Sequence, residues 1–229
     1  MRGIHSFALP LQQDAALESL IRANSTIRTV PAKQVLLDAG ESPEGVYYIL
    51  NGRTRHYMLG EDGSEKILFI LANGWFFSEG SCILHRPLQM YVITEEKTDL
   101  CFIPMERFEA LLAGEPSFNA ALMDCFARKT LILCNEIENL TFFSAKDRLL
   151  QFFYSNADPA FDFDDRWYPL KHNYTQQELA TILGVSRVSI SKFINEFCND
   201  GIIRIVNRRI QLNIRNYNEL DKRFNDSVF

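Results

Sequence analysis

The chain has 229 residues, a hydrophobic fraction of 47% and a formal net charge of −5. This length is comfortable for two domains, and the hydrophobic residues can supply a core in each. No apolar stretch approaches the roughly 20 residues of a membrane-spanning helix, and the N-terminus lacks the basic start and long apolar run of a secretory signal. We therefore expect a soluble, cytoplasmic protein with no membrane partner.

The first half of the chain predicts a short helix followed by many short strands. Residues 7–28 have the apolar spacing of a short amphipathic helix, with Leu9, Leu11, Leu17, Leu20 and Ile21 among polar residues. From Val30 the pattern changes to β-rich runs broken by Gly and Pro, which favours a compact antiparallel barrel or sandwich. These runs are residues 35–37, 46–50, 56–59, 67–71, 75–77, 90–93 and 100–103.

The five cysteines stand at positions 82, 101, 125, 134 and 198. Their odd number and irregular spacing give neither a disulfide framework nor a C-x-x-C metal pair. We interpret most of them as buried small hydrophobic residues and predict no metal site.

A long helix follows the β-rich region. Residues 105–112 predict a helix that closes the β domain, and residues 116–143 predict one helix of about 40 Å. Along the long helix, spacings of three and four alternate in the heptad pattern of a helix with a partner, at Met123, Phe126, Thr130, Leu133, Ile137 and Leu140. We call these six residues the dimer seam and predict a parallel homodimer along it. The alternative is a core helix packed only within its own subunit.

Two further apolar residues of the long helix, Leu131 and Ile132, lie off the dimer seam. We expect both to face the β domain of their own subunit, which would place the helix between that domain and its partner.

A second helical region begins at Ser144, which has the side chain of a helix cap. An acidic, aromatic loop at residues 155–168 then leads to a short strand at 167–170. The acidic residues of the loop lack the regular ligand spacing and central glycine of a calcium-binding EF-hand. We interpret them as a solvated loop: Asp158, Asp162, Asp164 and Asp165.

Residues 174–201 have the form of two short helices joined by a tight turn. Thr175 and Glu178 make a T-x-x-E capping box, Gly184 permits a sharp bend and Ser186 caps the second helix. The apolar residues predict a shared core of Leu179, Ile182 and Leu183 with Val185, Ile190, Phe193 and Ile194. The residues left outward have lengths and chemistry suited to a DNA major groove: Arg187, Val188, Ser189, Ser191 and Lys192.

Such helix pairs also occur in many helical domains, so the flanking sequence carries part of the argument. Residues 202–206 and 210–212 predict two short strands around a basic tip that contains Arg208 and Arg209, which is the form of a wing. Residues 171–215 hold seven Lys or Arg and three Asp or Glu, whereas the rest of the chain is acidic. Phosphate binding needs a local positive potential, so the negative net charge does not exclude DNA.

The motif T-Q-Q-E-L-A-x-x-L-G-V-S-R-x-x-I-S-K and the wing resemble the C-terminal domain of the Crp/Fnr family of bacterial transcription regulators. The resemblance implies phosphate contacts by Thr175, Gln177, Ser186 and Ser189 and base contacts by Arg187, Ser191 and Lys192. Val188 departs from the family pattern, because many members have a cytosine-reading Glu there and a valine can only contact a thymine methyl. The halorespiration-type regulators are similar to this chain in having Val at this position.

The motifs G-E-S-P-E-G-V-Y-Y-I-L-N-G-R, E-D-G-S-E-K-I-L and N-G-W-F-F-S-E resemble the family's sensor, a β-roll of the cyclic-nucleotide-binding type. The resemblance then covers nearly the whole chain and implies an α+β fold of three parts. These are an effector-sensing β-roll at 1–115, a dimerisation helix at 116–143 and a winged helix-turn-helix domain at 144–229. It also implies double-stranded DNA and RNA polymerase as partners and places the effector pocket around residues 75–90.

The effector segment departs from the nucleotide-binding members, which carry an Arg that holds the cyclic phosphate where Leu88 or Gln89 stands here. A phosphate would lack its main counter-charge, so we predict a non-cAMP branch and a small organic anion, plausibly aromatic. Lys129 could pair with such an anion, and Glu79 is its expected partner in the empty protein; the alternative partner is Glu136 of a second subunit. The proposed effector residues are Trp75, Phe76, Phe77, Glu79, Tyr91, Phe126 and Lys129.

Two other functions are weighed against an effector-controlled regulator. A redox or haem-based gas sensor of the same architecture is the alternative, but the chain lacks the N-terminal cysteine cluster of the Fnr branch, and Cys82 and His85 are an isolated pair. An enzyme is disfavoured, since the sequence contains no G-x-S-x-G, H-E-x-x-H or phosphate-cradling glycine loop. We therefore predict no enzyme activity and no fixed cofactor, with a small-molecule effector in its place.

Overall fold

The computed structural model describes residues 11, 14–61, 63–158, 160 and 166–225, with side chains described up to residue 220. These residues form two compact units, one ending at Leu133 and the other beginning at Cys134. The division falls inside the long helix, so the domain limits expected from the sequence remain predictions. None of the described helices is long and apolar enough to cross a membrane.

The first unit begins with a short helix and continues as eight strands, with two helices near its end. Helix α1 is Ala15–Ala23, and α2, Glu79–Leu84, follows the sixth strand. Helix α3 is Met105–Gly114. The strands are β1 (Thr26–Val30), β2 (Val35–Leu37), β3 (Gly45–Asn51), β4 (Thr54–Leu59), β5 (Glu65–Leu71), β6 (Phe76–Phe77), β7 (Tyr91–Thr94) and β8 (Thr98–Pro104).

The eight strands pair in two antiparallel sheets of four, in the orders β1-β8-β3-β6 and β2-β7-β4-β5. A single apolar core contains residues of both sheets, such as Ile49 and Leu100 from the first and Leu71 and Val92 from the second. Strand β3 lies in this core along nearly its whole length, since the first six of its seven residues are buried. This confirms the predicted antiparallel β domain.

The N-terminal helix is shorter than predicted. Asp14 caps it by accepting a hydrogen bond from the Ala16 amide, and it ends at Asn24. Residues 26–30, T-I-R-T-V, form a strand because four of the five are β-branched and their backbone pairs with β8. The extension of the helix to residue 28 was therefore wrong, and Leu9 lies outside the described residues.

The long helix is confirmed as α4, Pro116–Phe142. Ile132 is buried in the core of the first unit, as expected. The same expectation for Leu131 was wrong, because its side chain is 65% exposed. The reason is geometric: residues next to each other on a helix are about 100° apart, so Leu131 and Ile132 do not share a face.

The second unit holds the remaining helices and a small sheet. The helices are α5 (Ala145–Asn156), α6 (Gln176–Leu183), α7 (Arg187–Asn199) and α8 (Ile214–Asn225). The strands β9 (Trp167–Pro169), β10 (Ile203–Val206) and β11 (Arg209–Asn213) form an antiparallel sheet in the order β10-β11-β9. Of the acidic loop, Asp162, Asp164 and Asp165 lie outside the described residues.

The cysteines agree in part with their predicted burial. Cys82, Cys101 and Cys125 are buried, Cys198 is half-buried and Cys134 is exposed. Burial raises the pKa of the Cys125 and Cys101 thiols, since a thiolate is poorly solvated in the core.

Candidate DNA interface and effector site

The capping box predicted at the start of α6 is present in both directions. Thr175 Oγ1 accepts a hydrogen bond from the Glu178 amide at 3.1 Å, and Glu178 Oε2 accepts one from the Thr175 amide at 2.7 Å. Gly184 ends α6 in the left-handed region, at φ 64°, and Ser186 Oγ accepts from the Ser189 amide at 3.1 Å to start α7. The chain thus makes two helices joined by a three-residue turn.

The core beneath the two helices is close to the predicted one. Leu179, Ile182 and Leu183 of α6 are buried, as are Ile190 and Ile194 of α7. Two predicted core residues, Val185 and Phe193, are only half-buried. Phe197, which was not predicted, is fully buried and lies edge-on to the Phe153 ring of α5 at 6.3 Å.

An open groove of about 670 Å³ runs along the exposed face of α7. The lining residues are Gln176, Arg187, Val188, Ser191, Lys192, Asn195, Glu196 and Asn199. The structure thus brings together four of the sequence-predicted residues, and Val188 among them is 79% exposed. Sequence reasoning missed the other four, although Asn195 and Asn199 continue the same helix face one and two turns beyond Lys192.

The hydroxyls expected to contact phosphate are engaged within the helix starts. Thr175 Oγ1 donates to Glu178 Oε2 at 2.9 Å, and the hydroxyls of Ser186 and Ser189 lie 2.9 Å apart. Gln177 is exposed. Their predicted role stays a prediction.

The predicted wing is present as the β10–β11 hairpin. Asn207 and Arg208 form its two-residue turn, with φ values of 50° and 63°, between the paired residues Val206 and Arg209. Positive φ at both central residues is the geometry that matches the twist of a two-residue hairpin. The side chains of Arg208 and Arg209 are exposed at this tip.

The predicted ion pair of the effector segment is present. Lys129 Nζ of α4 lies 2.5 Å from Glu79 Oε1 of α2 and also donates to the Phe76 carbonyl oxygen at 2.8 Å. The Glu79 side chain is only 3% exposed. Because a buried, unpaired charge is costly, each of these two groups needs the other in the ligand-free protein.

The aromatic residues expected in the pocket do not form one group. Trp75, Phe76 and Phe77 belong to the core of the first unit, and the Phe77 ring stacks on Tyr47 at 4.9 Å. Tyr91 stacks on Tyr57 at 5.3 Å. Two of the predicted aromatic residues have contacts beside the ion pair: the Phe76 carbonyl oxygen accepts from Lys129, and a Cβ added to Gly80 of α2 would be 3.9 Å from the Phe126 ring.

Two further buried groups, His56 and Cys82, lie near the ion pair, and neither was predicted there from the sequence. Burial, and to a lesser degree the Lys129 charge, lower the pKa of His56 well below its usual value, so the imidazole is neutral. Its Nε2 is 2.9 Å from Thr54 Oγ1. Burial and the nearby Glu79 raise the pKa of Cys82 to about 11. A lone histidine in a strand gives no sequence signal that would separate it from a surface residue.

The dimer seam is largely exposed on the single chain. Met123, Ile137 and Leu140 are at least half exposed, whereas Leu133 is 36% exposed. Thr130 donates to the Phe126 carbonyl oxygen within the helix.

Comparison with known proteins assigns both units. Residues 27–115 match the cyclic nucleotide-binding domain, and residues 147–223 match the Crp-like helix-turn-helix domain. The cAMP-activated global transcriptional regulator CRP of Pasteurella multocida is 26% identical over 73% of this chain and 80% of its own length. The CRP of Salmonella typhimurium is 25% identical over 84% of this chain and 91% of its own.

Solved structures agree in fold. The c-di-GMP responsive global regulator CLP of Xanthomonas campestris has a TM-score of 0.76 and 21% identity, covering 87% of this chain and 99% of its own. CprK complexed with OCPA has a TM-score of 0.69 and 16% identity, covering 92% of this chain and 95% of its own. A cyclic-nucleotide-binding-like β domain, a long helix and a helix-turn-helix domain thus follow one another along the chain.

Proposed function

The chain belongs to the Crp/Fnr family of transcription regulators, and we propose that it is a dimeric regulator that binds a two-fold DNA site under the control of a small organic anion. The observation that carries the DNA-binding part is the groove on α7. Its lining offers two cations, three hydrogen-bonding amides and an exposed valine, all but Gln176 from one face of α7, a set that can contact both phosphates and base edges.

Dimerisation is supported by the dimer seam. Apolar side chains spaced by a heptad and exposed on the single chain would be buried against a second copy of α4. Two copies of α7 related by a two-fold axis would then meet half-sites about one helical turn, or about 10 bp, apart.

Selection of duplexes from a random pool tests the DNA-binding proposal. We expect a pseudo-palindromic motif with half-site centres about 10 bp apart, and we expect Lys192→Ala with Arg187→Ala to abolish the enrichment. A selected motif without two-fold symmetry, or no motif at all, would contradict the proposal.

The effector proposal is supported by the ion pair between Lys129 and Glu79. An ammonium that is largely buried and already coordinated by a carboxylate can exchange that carboxylate for one on a ligand, which keeps its charge paired. Of the relatives named above, CRP responds to cAMP and CLP to c-di-GMP according to their names, whereas CprK is complexed with OCPA. For this chain we favour a carboxylate or phenolate, since Leu88, which is buried, or Gln89 stands where the phosphate-binding Arg would be expected.

A thermal-shift screen separates these ligand classes. An anion that binds the native state raises the melting temperature by mass action. We expect aromatic carboxylates or phenolates to raise it and cyclic AMP to leave it unchanged, and the opposite ranking would contradict the proposed effector class.

A further inference from the structure

Glu196 is the acidic residue among the eight that line the groove on α7. It lies in the last turn of that helix, where the partial negative charge of the helix C-terminus opposes an anion. On the proposed DNA-binding face it would also approach phosphates, which repel it. A carboxylate in this place is doubly unfavourable unless other groups compensate for it.

Lys146 provides the compensation from another helix. Its Nζ is 2.7 Å from Glu196 Oε2 and 5.3 Å from the centroid of the Phe197 ring, so it has two contacts with α7. The hydrogen bond lowers the pKa of Glu196 and raises the pKa of Lys146, so both groups are charged at neutral pH. Lys146 lies in the first turn of α5, which begins directly after the Ser144 cap.

The other carboxylate oxygen of Glu196 faces Lys192, which also lines the groove. Lys192 Nζ is 4.0 Å from Glu196 Oε1, and its side chain is 72% exposed. A lysine placed four residues before a glutamate is the weaker of the two helical orders, so the contact biases the ammonium and does not lock it. The attraction to Glu196 directs the Lys192 side chain along α7, towards the C-terminal end of the helix.

We propose that Glu196 is a specificity-determining residue that positions Lys192 through one carboxylate oxygen while Lys146 holds the other. The proposal rests on the DNA-binding function proposed above. On DNA of arbitrary sequence, Glu196 repels the backbone and withholds Lys192 from phosphate contacts, which weakens binding. On the correct site, the positioned ammonium meets an acceptor on a base edge, so the specific complex loses little.

The test measures the binding of the full chain to two duplexes, one carrying the motif selected by the parent and one of random sequence. For Glu196→Gln we expect affinity for the random duplex to rise about three- to tenfold at low salt. The slope of log K against log salt should steepen by about 0.9 for each lysine that gains a phosphate. Affinity for the selected duplex should change by less than about twofold, so the ratio between the two affinities falls.

Glu219→Gln is the matched control, because Glu219 is an exposed glutamate of the same unit that pairs with Arg215 on α8, outside the groove lining. It makes the same charge change and should leave the affinity ratio at the parent value. Equal gains on both duplexes for Glu196→Gln, or a gain matched by Glu219→Gln, would reduce Glu196 to an ordinary surface charge and overturn the proposal.

A failure of the DNA-binding function would look different. If the parent selects no motif, the regulator proposal fails by itself, and the random-duplex measurement still decides the role of Glu196. In that arm, unchanged affinity and salt slope in Glu196→Gln would overturn the inference. Lys146→Met provides an independent test. Because the negative charge of Glu196 then lacks its partner, binding to both duplexes should weaken.

Discussion

Val188 occupies the most exposed apolar position of α7, at 79% exposure. A side chain without donors or acceptors cannot read a cytosine amine, but its methyl groups can contact the methyl group of thymine. If α7 contacts DNA as proposed, this exposed valine is available to contact such a methyl group.

We therefore predict that Val188→Glu moves the preference of the half-site at that position from A·T towards G·C. A carboxylate that accepts from a cytosine amine is worth about 1–3 kcal/mol of discrimination. Val188→Thr, which keeps a methyl group, should retain the A·T preference. Motifs selected from random DNA provide the measurement, and identical motifs for the parent and Val188→Glu would show that Val188 does not read this position.

The buried His56 should make the folded protein less stable in acid. The imidazole is buried and neutral in the folded protein, with its pKa lowered by desolvation and by Lys129, whereas in the unfolded chain it takes up a proton near pH 6.5. The unfolded state therefore binds more protons below that pH. The free energy of unfolding should fall as the pH drops below about 6.5, by up to about 1.4 kcal/mol per pH unit. Above that pH, His56 should make no contribution to the pH dependence.

We predict that His56→Gln, which can keep a hydrogen bond to Thr54, removes this share of the acid sensitivity. Urea unfolding between pH 7 and pH 5 would be followed in a Trp167→Phe background, where the buried Trp75 alone reports on the β domain. The control is His85→Asn, which removes an exposed histidine from the same unit and suits its left-handed backbone at φ 50°. A pH dependence retained in His56→Gln would contradict the assignment.

At the scale of elements, the exposed dimer seam of α4 predicts which substitution should separate the two subunits. Ile137→Lys should convert the dimer into a monomer, because each dimer would lose two buried isoleucines and gain two facing charges. Burial of an aliphatic side chain contributes about 1.5–3 kcal/mol, so the dissociation constant should rise by about 100-fold or more. Ile137 is 63% exposed in the single chain, so the variant should still fold.

Leu131→Lys is the control, since Leu131 is exposed to the same degree on the same helix but lies off the seam. Sedimentation velocity across a range of concentrations distinguishes the two variants. If both remain dimeric, the dimer interface lies elsewhere; if both dissociate, the heptad assignment is wrong.

Elements with strong local signals were predictable, and elements defined by tertiary contacts were not. The capping box at Thr175 and the glycine at 184 are local chemistry, so the helix-turn-helix could be read from the sequence. Helix α2 has six residues and starts at Ser78, which makes no side-chain capping bond. The pair between its Glu79 and Lys129 was predicted, but no local pattern of residues 78–84 marks the helix itself.

Helix α8 was not predicted, although its sequence carries a local signal. In its sequence, I-R-N-Y-N-E-L-D-K-R-F-N, apolar residues recur every three or four positions, as in an amphipathic helix. Its described contacts include the ring of Tyr217 at 4.9 Å from Tyr154 of α5. Among the proposed pocket residues, Tyr91 was named for its aromatic ring, and in the structure that ring stacks on Tyr57 of the neighbouring strand.

At the scale of the whole molecule, a regulator must couple an effector site in one unit to a DNA interface in the other. Coupling is a free energy shared by the two sites, so an effector that raises affinity for DNA must have its own affinity raised by DNA to the same degree. Titration of the effector with and without the selected duplex measures this factor from one side. The reverse titration must return the same value if the two sites are linked.

In these titrations, we expect the binding of the effector to depend on Lys129. We predict that Lys129→Met weakens binding of the best anion from the thermal-shift screen by about 1.5–3 kcal/mol, the worth of a hydrogen bond to a charged group, or about 10- to 150-fold. The neighbouring Arg128 is exposed and paired with Asp124, so Arg128→Met, which also removes one positive charge, should bind the anion as the parent does. Calorimetry of the three proteins gives the comparison. Equal affinity in Lys129→Met would remove Lys129 from the site, and tight binding of cyclic AMP by the parent would replace the organic anion with a nucleotide.

An anion that binds through Lys129 must displace Glu79, and the released carboxylate, now without its partner in a site that is 3% exposed, has to move or take up a proton. Proton uptake on binding, measured by repeating the calorimetry in buffers of different ionisation enthalpy, would separate these two outcomes.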